Sequence, residues 1–225
     1  MKKNFCTILL LFSVLQLFAQ NPQKQNLAGL ATITFPQKPI TSDTLGHILT
    51  QFIDSVAIYS TITRELDADM LLQVNGNTLP EFYDSTINGF LDAAQGKLIS
   101  KNPFEIDGLK GIEIEFVASS NPNLPDLRFA RFILLDNTLI TVNFMTLSEN
   151  KLATQTARTQ FLNSLTITAD KTSLTQGVDH PAAYAIGSII GKLAAWAIIL
   201  GVIAGVILLI RRITTKKKRT NKAEF

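Results

Sequence analysis

Cysteine is almost missing from this chain of 225 residues; it occurs once, at Cys6. That excludes a disulfide framework, and with it thiolate metal sites and thiol catalysis in any form of the chain lacking its N-terminus. Histidine is nearly as scarce. His47 and His180 are far apart, and neither stands at a ligand spacing from another histidine or cysteine. Both read as exposed, non-ligating side chains, His47 at a strand start beside Gly46 and His180 in the stretch Val178-Asp179-His180-Pro181. The chain also lacks a nucleophile elbow, a phosphate loop and a dinucleotide fingerprint. No residue is assigned a catalytic, cofactor-binding or metal-binding role.

The formal net charge of +3 hides a division. Residues 20–182 hold eleven cations against seventeen acids, a net of −6. Residues 211–225 hold seven cations (Arg211, Arg212, Lys216, Lys217, Lys218, Arg219 and Lys222) against Glu224, a net of +6. The positive charge belongs to a short tail, so a nucleic-acid partner is not expected.

Long hydrophobic runs occur only near the two ends. Lys2 and Lys3 precede the mostly apolar Cys6 to Phe18, and Ala19 is followed by Gln20-Asn21-Pro22. This is the pattern of a secretory signal peptide over residues 1–19. Leu193 to Ile210 is free of charge, and the basic cluster follows at once. Such a run is long enough to cross ~30 Å of hydrocarbon at ~1.5 Å per residue. We expect one transmembrane helix over 183–210, with Lys192 near its outer interface. The basic residues from Arg211 to Arg219 then fix 211–225 in the cytoplasm and residues 20–182 outside it. The expected location is the cell's inner membrane, crossed once, with lipid as the first partner. Gly187 and Gly191, and again Gly201 and Gly205, are spaced four apart, which allows close packing with a second copy or a partner helix.

Between the ends, β-branched and aromatic residues alternate with polar ones. Ala31–Phe35, Ile112–Phe116, Leu127–Leu135 and Leu139–Phe144 read as strands, with Asp136-Asn137 as a hairpin turn between the last two. Thr78-Leu79-Pro80-Glu81 opens a helix whose stripe is Leu79, Tyr83, Ile87, Phe90, Leu91 and Ala94, closed by Gly96. A second helix is expected from Ser148, with Ala153, Ala157, Phe161 and Leu165 four apart. Residues 44–64 fit either a helix or a strand hairpin turning at Asp54-Ser55, and periodicity does not decide between them. Carboxylates cluster at Glu65, Asp67 and Asp69 and at Glu113 and Glu115, spacings that suit a turn and a solvated strand face.

Thr34-Phe35-Pro36-Gln37-Lys38-Pro39 resembles the opening strand and turn of the PsbP-like family, with Gln37 where members usually carry glycine. Tyr59 stands at the place of the tyrosine in the family's strand hairpin. Gly108-Leu109-Lys110-Gly111 is similar to its glycine pair, and Phe161-Leu162-Asn163-Ser164-Leu165 to its closing helix end. The resemblance covers residues 30–168. It implies an α+β fold, an antiparallel sheet with helices packed on it in an α/β/α sandwich, and it favours the hairpin over 47–63. The expected organisation is a linker at 20–29, a domain at 30–170, a juxtamembrane linker at 171–182 and then the anchor and tail. The expected role is that of a non-enzymatic binding or assembly module. The alternative is a carrier or sensor of an apolar ligand, for which Phe82, Phe90, Phe132 and Phe144 would have to line a cavity.

Overall fold

A computed structural model describes residues 21–44, 46–67, 79–118, 121, 123–171, 173–176, 192–193 and 195–197. The alternating segments form a seven-stranded antiparallel sheet in the order β3-β4-β5-β9-β8-β7-β6. Its strands are β3 (Ile40–Thr44), β4 (His47–Ile53), β5 (Ala57–Glu65), β6 (Gly96–Ile106), β7 (Leu109–Ala118), β8 (Leu127–Leu135) and β9 (Thr138–Thr146). A smaller sheet joins β1 (Gln23–Leu27), β2 (Ala31–Phe35) and β10 (Thr166–Ile167) in the order β1-β2-β10. Helix α1 (Leu79–Ala94) covers one face of the large sheet; the small sheet and α2 (Gln155–Asn163) cover the other.

Residues 47–63 are the hairpin. The Asp54 carboxylate accepts the N–H groups of Val56 (2.8 Å) and Ala57 (2.7 Å), closing the turn that a helix would not make. Helix α1 follows its expected stripe, with Phe82 and Tyr83 buried beside Ile87 and Phe90. It ends at Gln95, which takes φ 49°, while Gly96 begins β6. The second helix is shorter than expected. Ser148–Asn150 is a single 3-10 turn, tied by its N–H (2.9 Å) and its hydroxyl (2.5 Å) to the Asp126 carboxylate. Regular α-helix starts only at Gln155, so Ala153 is exposed and Phe161 and Leu162 carry the buried face.

Parts of both stretches read as linkers are held to the sheets. Residues 23–27 lie in the stretch read as a linker, but they pair with β2 from Gln23↔Phe35 to Leu27↔Ala31. Only Leu27 of this strand is buried, so backbone pairing holds it and no hydrophobic pattern announces it. At the other end, the Gln176 amide enters the large sheet where β7 and β8 part. Its Nε2 donates to Lys110 O (2.8 Å) and Leu134 O (2.9 Å), and Lys110 N donates to its Oε1 (2.8 Å). The Tyr83 hydroxyl completes this seam, donating to Lys110 O (2.9 Å) and accepting from Leu134 N (2.9 Å).

The far face is closed by aromatic and cationic contacts. Tyr59 meets Phe144 and Phe161 edge-on at 5.1 and 5.2 Å. Arg131 binds Glu113 on β7 and Leu162 O (2.7 Å) at the end of α2, and lies 5.0 Å from the Phe104 ring centre. That ring in turn lies on Gly111, where a Cβ would come within 2.3 Å of it, so the position needs the close approach that glycine allows. Ser164 Oγ donates to Phe161 O (2.7 Å) and accepts from Thr34 N (3.0 Å), joining α2 to β2.

Removing the Tyr83 hydroxyl leaves the buried Leu134 N–H without a partner while Lys110 O keeps Gln176. Tyr83→Phe is therefore expected to destabilise the chain by ~1–3 kcal/mol, read as a lower urea midpoint with an unchanged slope.

Candidate functional site

Strand pairing decides which side chains share the α1 face. The register Gln51↔Ser60 and Ser60↔Asn143 places three polar side chains in one row across β4, β5 and β9. In the next row Arg128 stands opposite Met145 and Phe116. All four are buried, Arg128 at 4% exposure and Asn143 at 2%. Arg128 Nη2, Asn143 Nδ2 and Ser60 Oγ have no hydrogen-bond partner among the described residues.

Arg128 is the unusual member. Its Nε donates to Pro125 O (3.1 Å), and no carboxylate forms an ion pair with it among the described residues. Burial lowers its pKa to about 10, with Asp126 opposing the shift. The Asp126 carboxylate is itself occupied by Ser148, whose hydroxyl holds the acid below its usual range. A buried, unpaired ion costs several kcal/mol, so a protein keeps one only where something offsets it. Arg128 and Asn143 line a cavity of about 10 Å³, room for the centre of one water-sized species. Phe90 and Ala94 of α1, Phe116, Met145 and Ala195 form its other walls.

Ala195 (2% exposed) and Ala197 (0%) belong to the apolar cluster under α1, although the sequence places them in the membrane helix. Trp196 between them is exposed. No helix among the described residues is long and apolar enough to cross a membrane. Gly187, Gly191, Gly201, Gly205 and the basic residues from Arg211 to Arg219 lie outside the described residues, as do Asp69 and His180.

His47 is not the exposed side chain expected. It is 1% exposed, its Nδ1 has no partner among the described residues, and burial, followed by the Arg64 charge, lowers its pKa to about 4. Glu65 accepts from Asn137 Nδ2 (2.6 Å), Glu113 is paired with Arg131 and Glu115 with Lys151, so each of these acids has a structural partner. No group of three metal-ligating side chains occurs among the described residues. The four phenylalanines do not meet: Phe82, Phe90 and Phe132 pack on the α1 face, whereas Phe144 faces α2. Phe90 touches Phe116 and Phe132 edge-on at 5.5 and 5.4 Å, so their space is filled by one another. Sequence reasoning missed Arg128 and Asn143. The available signal was parity: Arg128 and Arg131 are three apart on one strand and must face opposite ways.

No family model matches the chain, and no curated protein does. Among solved structures it is similar to the solution structure of cyanobacterial PsbP (CyanoP) from Synechocystis sp. PCC 6803. That likeness has a TM-score of 0.48 and 17% identity, over 67% of this chain and 94% of the other. It is also similar to the crystal structure of PA94, a protein of unknown function from Pseudomonas aeruginosa. There the TM-score is 0.38 and the identity 12%, over 64% of this chain and 94% of that one.

The His47 shift has a defined sign. An unfolded histidine binds its proton near pH 6.5, and the folded one only near pH 4. The stability it contributes is complete above pH 6.5 and is lost as pH falls toward 4, with a slope of up to ~1.4 kcal/mol per pH unit. Urea unfolding between pH 7 and 4 should show this slope, and His47→Gln should lack it.

Proposed function

We propose that the chain is a non-enzymatic binding or assembly module, anchored in the inner membrane with its folded part outside the cytoplasm. One observation carries this reading: the start of the apolar run, at Ala195 and Ala197, packs at an end of the domain that already exposes apolar side chains. Gln176 is held at the Asp136-Asn137 end of the sheet, with Thr175 bonded to Asp136. Ala195 lies at the opposite end, beside Ala94, Arg128 and Met145. That end carries Val56, Leu147 and Leu152, all exposed, and Val56 O accepts from the Thr146 hydroxyl (2.8 Å). Large apolar side chains exposed together suit a surface that meets lipid or a partner. The +6 tail beyond the run supports a cytoplasmic C-terminus. The filled contacts around Phe90 favour this module over a carrier of an apolar ligand.

Two measurements test the reading. Alkaline phosphatase fused after Gly177 should be active and fused after Phe225 inactive; the opposite pattern rejects the topology. Gentle solubilisation followed by protein and lipid mass spectrometry should find a stoichiometric protein partner, or a second copy, that dissociates when Leu147 and Leu152 are changed to Ser. One tightly bound apolar molecule per chain would instead favour the carrier.

A further inference from the structure

We propose that the cavity between Arg128 and Asn143 binds one monatomic anion of the size of chloride. Arg128 and Asn143 both line it, and the donors Arg128 Nη2 and Asn143 Nδ2 are buried with no hydrogen-bond partner among the described residues. Both side chains are more than nine-tenths buried. The Phe90, Phe116, Met145 and Ala195 walls supply no carboxylate. Two unpartnered donors on the wall of one small cavity call for a species that accepts, and the fixed positive charge of Arg128 favours an anion over a neutral acceptor.

Size narrows the choice. Room of about 10 Å³ takes a single water-sized species and leaves none for the substituents of a carboxylate, phosphate or sulfate. Charge points the same way. Asp126, the acid acting on Arg128, is engaged by Ser148, so the guanidinium lacks a free carboxylate among the described residues. A halide meets both demands, offsetting the guanidinium charge and accepting from Arg128 and Asn143 together. Ala195, at the start of the apolar run, forms part of the cavity wall.

The test is thermal unfolding of the full chain in detergent, with chloride exchanged for gluconate at constant ionic strength. Each tenfold rise in chloride above its dissociation constant should multiply the folding equilibrium tenfold and raise the midpoint by roughly 3–6 °C. Arg128→Met should flatten this dependence, and Asn143→Leu should shift it to higher chloride. Crystals grown in bromide should show an anomalous peak between the two side chains, a readout on the unmodified protein that survives if Arg128→Met fails to fold. A wild-type midpoint indifferent to chloride, together with no bromide peak, overturns the proposal. The Asn143 amide would then be turned, its Oδ1 accepting from Arg128.

Discussion

The seam between β7 and β8 is the constraint on which the rest depends. Four main-chain groups, the N–H and C=O of Lys110 and of Leu134, are satisfied there by the Tyr83 hydroxyl and the Gln176 amide. Unpaired buried main-chain groups are costly, so neither side chain is free to move independently of the sheet. Tyr83 thereby fixes α1 over the sheet, and burial raises its hydroxyl pKa, which keeps it a donor. Gln176 ties residues 173–176 to the Asp136 end of the sheet.

The two faces of the large sheet are finished differently. The α2 face closes with aromatic pairs and with Arg131, whose charge is answered by Glu113 and by the carbonyl end of α2. The α1 face ends in Gln51, Ser60, Asn143 and Arg128, a row and a neighbour that an apolar core would not choose. A domain optimised only for stability would carry aliphatic residues there, since replacing a buried ion by hydrocarbon is often neutral or favourable. Keeping an arginine at this place is intelligible if the face has a charged occupant.

Much of this fold is legible in the sequence wherever a strand has one wet and one dry face. Ile112, Ile114 and Phe116 point to α1 while Glu113 and Glu115 reach their cations on the other side. Strands β1 and β3 were not legible, because an edge strand needs only backbone partners and QKQNL or ITSDT offers almost no apolar alternation. Parity within a strand also fails to say which face meets which helix. That is why Phe132 and Phe144, on adjacent strands, pack on opposite faces. The buried site was hidden for a related reason. Asn143 sits in Leu139–Phe144 where a solvated residue is expected, and burial there depends on chain far away in sequence. The hairpin at 47–63 was legible only through the PsbP-like resemblance, with Asp54 supplying the physical reason.

Under the proposed anchoring the apolar run would meet two environments, and their magnitudes decide between them. With Ala195 and Ala197 in the core, residues 198–210 remain, and at ~1.5 Å per residue they rise only about 20 Å against ~30 Å of hydrocarbon. A comfortable span would therefore draw 193–197 out of the domain or thin the bilayer around it. Alanine makes that exchange small. Burying its single methyl contributes roughly 0.8 kcal/mol, less than one leucine gains in lipid. The contacts surrendered would include that of Ala195 with the Arg128 cavity, and Trp196 beside it is already exposed, as an interfacial aromatic would be. On the proposed anchoring, depth of insertion and the Ala195 wall of that cavity would be one equilibrium, poised by two methyl groups on one side and by the length of the run on the other.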